Sequence, residues 1–346
     1  EVHRIIEVLE SIGMRVEWNG SDVTLTPPAK YELAKIDRVA AQKTRSIVMF
    51  IGPLMHHLRK FSLPQSGGCK LGSRTVRPHF FALERFGVHI EAKHDEFAVH
   101  VTPKKAGEII LYESGDTVTE NALLGAALTP GITVIKYASA NYQVQEVCAF
   151  LEQCGVRIEG FGTTTLTVHG IASIQHSVEY TLSEDPTDTM FFLATAIVTH
   201  STITITRCPI EFLEIELLKL EKMGFKYKRS KVYLSENKVT KLVDITTKPS
   251  KLTALHEKIH PSIYPGLNID NLPFFAIIAT QATGQTLIHD WVYEKRALYF
   301  TELDKLGAET VLADPHRIYI TGPTPLRATE LICPPALRPA TILLIA

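Results

Sequence analysis

One segment recurs five times along the chain: VLESIGMRVE from Val8, ALERFGVHIE from Ala82, FLEQCGVRIE from Phe150, KLEKMGFKYK from Lys219 and ELDKLGAETV from Glu302. Each copy reads as the end of an amphipathic helix, closed by glycine and followed by residues that alternate between apolar and polar. Glycine suits the position just past a helix, where positive φ costs it nothing. The alternating run has the period of a half-buried strand. A turn then leads to a second strand: SDVTLTP, FAVHVTP, TTLTVHG, KVYLSE and RIYITGP. Gly13, Gly87, Gly155, Gly224 and Gly307 are spaced 74, 68, 69 and 83 residues apart. That period is too long for a solenoid and fits a small βαβαββ module. The fold class is α/β.

A chain of 346 residues suggests two domains of about 170 residues each. The repeats divide it into a first domain over 1–182, holding the units of Gly13, Gly87 and Gly155, and a second over 183–346. The second holds the units of Gly224 and Gly307 and the start of a third. Val2, Ile5, Ile6, Val8, Leu9 and Ile12 share one helical face at the start, and LRPATILLIA opens another apolar helix at the end. Five units and two interrupted helices predict that these residues belong to a longer chain.

Charge narrows the ligands. A net charge of −1 gives no global basic field for nucleic acid or an anionic membrane, so an anion must be met by locally gathered Arg and Lys. The longest apolar runs, such as Met190–Val198 and Thr341–Ala346, fall far short of the roughly 18 residues of a membrane span. The opening EVHRII carries no basic n-region and no secretory apolar stretch. Cys69, Cys148, Cys154, Cys208 and Cys333 form no CxxC pair and no disulfide-dense pattern, which favours a reducing compartment. A cytoplasmic protein without nucleic-acid or membrane partner is the expectation.

The segment LPQSGGCKLGSRTVRPH, from Leu63, carries the strongest chemical signal. Gly67, Gly68 and Gly72 flank Cys69 in a loop that also holds Lys70, Arg74 and Arg77. Nearby cations lower a thiol pKa and hold anions, so Cys69 suits a nucleophile or general acid, against the alternative of an incidental cysteine in a surface loop. The other four cysteines read as core. In YPGLNIDNLPFF, Asp270 is either a base or a turn former. In ESGDTVTENALLGAAL, Gly115 precedes an apolar helix whose start can bind phosphate or simply be capped. Arg45, Arg296 and Arg338 sit in apolar or helical surroundings, which is costly unless each meets an anion or carboxylate. No GxxxxGK[ST], GxGxxG or zinc-spaced His/Cys cluster is present, so no nucleotide cofactor or metal is expected.

These segments, with RSIVMFIGPL from Arg45, VYEKRALYFTELDKLGA from Val292 and ALRPATILLIA from Ala336, resemble the UDP-N-acetylglucosamine enolpyruvyl transferases (the MurA group) along essentially the whole chain. The Gly-Gly-Cys loop followed by Gly-x-Arg is specific, since the sister enzymes that make enolpyruvylshikimate phosphate lack that cysteine. The resemblance implies a two-domain inside-out α/β barrel of βαβαββ units that closes around phosphoenolpyruvate and UDP-N-acetylglucosamine. It implies no cofactor. It places the catalytic loop at 64–75, with Cys69 as proposed general acid at the methylene carbon and as the residue alkylated by fosfomycin. Asp270 matches the carboxylate that takes the proton of the sugar 3′-hydroxyl. Arg45 and Arg74 match arginines near the phosphates; Arg296 and Arg338 match arginines facing the active site. Arg74, Thr75, Val76, Arg77 and Pro78, then Glu113, Ser114, Gly115 and Asp116, match two segments that touch UDP, and Val292 matches a further nucleotide contact.

The chain also departs from the family pattern. Arg-Thr-Val-Arg at 74–77 stands where Arg-Pro-Val-Asp is usual, Glu113 where Lys is frequent, and Ala336 where Asp is usual. The family's N-terminal Lys-Asn pair and its C-terminal phosphate-binding Arg lie outside the sequence. Arg77 and Glu113 keep a different acceptor, such as UMP, as an alternative. RNA 3′-phosphate cyclases use similar units, but the charge and the cysteine loop argue against them. A degenerate, non-catalytic paralogue is a further alternative, opposed by the joint presence of Cys69, Asp270 and the arginines.

Overall fold

The repeated glycines explain how the chain is punctuated. In the computed structural model, which describes residues 2–65 and 75–346, all five have positive φ: Gly13 at 104°, Gly87 at 83°, Gly155 at 91°, Gly224 at 97° and Gly307 at 96°. Around four of them the N–H of the next residue reaches back five positions. Met14 bonds Leu9, Val156 bonds Leu151, Phe225 bonds Leu220 and Ala308 bonds Leu303, all at 2.9–3.1 Å. This is the Schellman ending, in which a left-handed residue satisfies the last helical carbonyls. Each helix thereby stops at a fixed point and turns into a hairpin.

The described residues form two compact units, the first ending at Val178 and the second starting at Glu179. The first opens with helix α1 (Val2–Ser11) and the hairpin β1 (Arg15–Asn19) and β2 (Asp22–Thr26). Short helices α2 (Arg38–Gln42) and α3 (Ile51–Leu54), joined by a 3-10 turn at Arg45–Phe50, lead to β3 (Lys60–Pro64). Helix α4 (Arg77–Glu84), β4 (Val88–Ala92) and β5 (Glu96–Val101) complete an antiparallel sheet in the order β3-β5-β4. The next module is complete: β6 (Glu108–Ile110), α5 (Asp116–Ala127), β7 (Gly131–Lys136), α6 (Tyr142–Gln153), β8 (Arg157–Glu159) and β9 (Thr165–Gly170). Its order is β6-β7-β9-β8, with β6 parallel to β7 and the rest antiparallel.

The second unit repeats this plan. Helix α7 (Pro186–Val198), β10 (Thr204–Pro209), α8 (Glu214–Lys222), β11 (Lys226–Arg229), β12 (Tyr233–Leu234) and β13 (Lys241–Lys248) give the order β10-β13-β11, with β12 also on β13. Strand β14 (Leu252–Thr253), α9 (Leu272–Ala279), β15 (Ala282–His289), a 3-10 helix at Ala297–Leu306, β16 (Glu309–Asp314) and β17 (Arg317–Gly322) give β14-β15-β17-β16. Strand β14 is parallel to β15, as β6 is to β7. Helix α10 (Leu337–Ile345) follows. Every residue of α9 is buried, as expected of a helix that is apolar all round and packs against α7, α10, β15 and β17. The five sheets are open, and none closes into a barrel among the described residues.

Two local expectations are corrected. The hairpin of β1 and β2 is not half-buried: nearly all its residues are exposed, because it pairs only with itself. The strand read at KVYLSE shrinks to β12. Its residues alternate no buried side chains, and a turn with Lys238 at φ 61° hands the central place to β13, which buries Leu242, Val243, Ile245 and Thr247.

Candidate functional site

In the first unit Cys69 and Arg74 lie outside the described residues. The neighbouring candidates converge. Arg45 opens the 3-10 turn before α3, and its Nη2 donates to the carbonyl of Thr75 at 3.0 Å. Thr75 Oγ1 accepts the N–H of Arg77 at 3.2 Å, and buried Pro78 occupies the first turn of α4, where its missing N–H is not needed. Val76 is half-buried and Arg77 exposed.

The second predicted segment is tied down by its own polar groups. Gly115 caps α5 in an extended conformation without a side-chain bond, leaving the helix start to other groups. The Asp116 carboxylate accepts from Ser139 Oγ at 2.5 Å and Asn141 Nδ2 at 3.1 Å, both in the loop before α6. Thr119 Oγ1 donates to Gly115 O and accepts from Ser139 N–H, and Ser114 Oγ reaches Ala138 O. Glu113 is half-buried. One turn below, burial first and Asp116 second push Glu120 up to about 7.

What joins these segments is a residue that the sequence reading missed. Asn121, fully buried on α5, accepts the N–H of Gly52 at 3.0 Å through Oδ1. Its Nδ2 donates to Val48 O at 3.1 Å and to His79 Nδ1 at 3.3 Å. One amide therefore fixes the turn bearing Arg45, the first turn of α4 and helix α5 against one another. Such a side chain is affordable in a core only with all its bonds made.

In the second unit Asp270 stands just before α9, in the turn Asn268–Asn271. Asn268 Oδ1 accepts the Asp270 N–H at 2.8 Å, and the Asp270 side chain is 35% exposed. Arg296 Nη1 approaches its carboxylate to 3.9 Å. Arg296 itself is 1% exposed: Nε pairs with the buried Asp290 carboxylate, Nη2 donates to Ile269 O at 2.8 Å, and the guanidinium lies 4.4 Å from the centre of the Tyr293 ring. Much of its donor capacity is thus spent inside the protein, holding the loop of Asp270. Asp290 and Tyr293 bracket half-buried Val292. Arg338 sits half-buried in the first turn of α10 and makes no ion pair among the described residues.

Apart from Val292, every described candidate stands within about a turn of a helix start, where unpaired N–H groups and the helix dipole favour anions. A groove of about 800 Å³ beside β3, lined by Lys30, Arg38, Lys60 and Glu96 among others, holds none of them. No three described His, Cys, Asp or Glu side chains gather closely enough to hold a metal ion, and no described helix is long and apolar enough to cross a membrane.

The likeness to known proteins extends over the same residues. The sequence pattern of EPSP synthase (3-phosphoshikimate 1-carboxyvinyltransferase) matches residues 1–346. The UDP-N-acetylglucosamine 1-carboxyvinyltransferase of Treponema pallidum is 29% identical over 339 residues, covering 96% of this chain and 77% of the relative. Its counterpart in Treponema denticola is 30% identical over 335 residues, with the same coverage. Among solved structures, the enolpyruvyl transferase NikO from Streptomyces tendae superposes with a TM-score of 0.77 at 20% identity, covering 99% of this chain and 79% of that one. An EPSP synthase from Acinetobacter baumannii gives 0.67 at 17% identity, with 99% and 80% covered. At these identities the structural likeness shows the fold.

Proposed function

Because the chain belongs to the EPSP synthase family and is a transferase of carboxyvinyl groups, we propose that it moves the enolpyruvyl group of phosphoenolpyruvate to the 3′-hydroxyl of UDP-N-acetylglucosamine. Phosphate is released, and the reaction is the first committed step of peptidoglycan precursor synthesis, in the cytoplasm. The observation that carries the reading is Asp270: a carboxylate a third exposed, at a helix start, in a loop held by Asn268 and Arg296. That is the setting of a positioned base. The names of the curated relatives supply the acceptor.

The sugar hydroxyl adds to C2 of phosphoenolpyruvate while C3 gains a proton; loss of a C3 proton then expels phosphate. Asp270 takes the hydroxyl proton, and Cys69 supplies the proton to C3. Arg45, Arg74 and Arg338 meet phosphate and carboxylate, for which a planar guanidinium suits bidentate binding. Arg296 acts mainly through the loop it holds. The segments Arg74–Pro78 and Glu113–Asp116, with Val292, receive the uridine diphosphate. The inside-out α/β barrel belongs to the same reading, and the all-round burial of α9 supports it.

Arg77, exposed at the head of α4, and Glu113 favour a second reading in which a nucleotide such as UMP is the acceptor. Phosphate release from phosphoenolpyruvate, measured with UDP-N-acetylglucosamine, other UDP-sugars and UMP, separates them. Turnover with UDP-N-acetylglucosamine supports the first, turnover with UMP alone the second. Release with none of these acceptors overturns both.

A further inference from the structure

Helix α8 carries none of the candidate site residues, yet it meets the loop of Asp270 through a buried acid. Glu216 is 1% exposed. Its Oε1 accepts from Asn271 Nδ2 at 2.8 Å and from the backbone N–H of Asn268 at 3.2 Å. Asn268 Oδ1 in turn accepts the N–H of Asp270. On the other side Arg296 holds the carbonyl of Ile269. Three consecutive residues, Asn268 to Asp270, each have one backbone group fixed by a polar side chain.

We propose that Glu216 is a positioning residue for Asp270, acting through Asn268 and Asn271; the inference rests on the reading of Asp270 as the base. Stability alone gives a poor account of this carboxyl. Glu216 Oε2 and Asn271 Oδ1 are both buried with no hydrogen-bond partner among the described residues, and such groups cost free energy that an apolar contact would not. What the arrangement supplies is direction. A single oxygen with two donors fixes the chain at Asn268 and Asn271, the two positions that bracket Asp270 closely. Burial raises the carboxyl above its ordinary range, opposed by the Asn271 and Asn268 donors and by Lys219. In either protonation state Oε1 remains an acceptor, so glutamine is a fair replacement.

The test uses the whole chain with phosphoenolpyruvate and the acceptor that supports turnover. Glu216→Gln keeps the acceptor atom and is expected within about 3-fold of the parent kcat. Glu216→Leu keeps the approximate volume, removes the acceptor and is expected to lower kcat about 10- to 100-fold, with KM for both substrates changed much less, as displacement of a catalytic group does. In an Asp270→Asn background Glu216→Leu is expected to cost less than about 2-fold further in kcat, while lowering Tm as much as in the parent. Where Glu216→Leu does not fold, Asn268→Ala breaks the same link at a half-buried loop position and carries the same expectation. An equal further loss of kcat in the Asp270→Asn background overturns the inference, since the effect is then structural. If Asp270→Asn is slow while Glu216→Leu or Asn268→Ala turns over at the parent rate, this inference alone falls. If Asp270→Asn itself turns over at the parent rate, the base reading falls and this inference with it.

Discussion

Removing the amide of Asn121 should loosen the first unit and leave the second intact. Asn121→Ala deprives the Gly52 N–H of a buried acceptor, a loss of about 1–3 kcal/mol. The Val48 carbonyl also loses a donor, but it keeps the Ile51 N–H, so that loss is the net worth of one bond, about 1 kcal/mol. His79 Nδ1 loses a long contact of 3.3 Å, which adds little. The sum is about 3 kcal/mol, or roughly 6–12 °C in Tm for a unit of this size. Hydrogen exchange read by mass spectrometry then locates the effect. Peptides covering 45–55, 77–86 and 116–127 should lose protection together, because one side chain joins all three, while those of α8 and α9 should not change. Acceptor KM should rise, since Thr75–Pro78 and Glu113–Asp116 lose their common support. A Tm shift under about 2 °C, or a protection loss spread evenly over both units, would refute the assignment of this joint to Asn121.

Other outcomes follow from single positions. Gly224→Ala forces a Cβ into φ 97° and to 3.1 Å from Lys251 O, costing at least about 1–2 kcal/mol; Gly107→Ala, with open space around it, should stay within about 0.5 kcal/mol in the same thermal melt. His56 accepts from Lys104 Nζ on Nδ1 and donates to Leu124 O from Nε2, and burial first, Lys104 second, lower it to about 4. The unfolded chain therefore binds more protons between its ordinary 6.5 and 4, and stability falls as pH drops through that window. Glu120, raised from 4.5 to about 7, has the opposite sign, so stability falls as pH rises there. Its contribution cancels in the difference between the parent and His56→Gln, which should shrink from pH 7 to pH 4 in urea melts; a constant difference would refute the neutral, Lys104-bonded His56. Burial pushes Cys148 up to about 12 and Cys208 up to about 11, whereas Cys333, read as core in the sequence, is exposed. The proposed role of Cys69 is therefore tested against Cys333 as well: fosfomycin should add once per chain, at Cys69, and not to Cys69→Ser. Adducts on several cysteines in a peptide map would count against the loop assignment.

The parts of the fold that were legible in the sequence are those that local geometry enforces. A glycine after an amphipathic helix stops it wherever the chain goes next, and all five repeat glycines take the expected sign of φ. The hairpins that follow were legible where inward positions alternate, as at Leu166 and Val168 or Ile318 and Ile320. The illegible parts depend on partners far away in sequence. Asn121 meets Gly52 across 69 positions and Glu216 meets Asn271 across 55. In EIELLKLEK nothing distinguishes Glu216 from Glu214, one buried and the other exposed, until the loop of Asp270 is folded against the helix. The pairing of Arg296 with Asp290, only six residues apart, was hidden for another reason: an arginine in apolar surroundings announces a need for an anion without saying whether a substrate or the protein supplies it.

The modules also show why the candidate residues fall where they do. In a βαβαββ unit two βα loops leave the carboxyl ends of neighbouring parallel strands, the end at which open α/β sheets bind ligands. Three modules join two neighbouring helix starts by a polar side chain, two of them on the βα loops of a parallel strand pair. In the first, Arg45 from the opening helical segment bonds Thr75, which follows β3. In the next, Asp116 after β6 bonds Ser139 and Asn141 after β7. In the second unit, Arg296 after β15 holds Ile269 and approaches Asp270 after β14. The donor is an arginine on the first loop, a hydroxyl and an amide on the second, or an arginine on the second, so the bond is not inherited as one pair of residues. What repeats is the need to fix two helix starts side by side, each with N–H groups that no carbonyl of its own helix can satisfy. Once they are fixed, those groups and the arginines beside them can meet an anion without further ordering, which is where the cost of binding a charged substrate is otherwise incurred. On the proposed reading, substitutions such as Arg77 and Glu113 would then change which anion is preferred while the helices that present them stay in place.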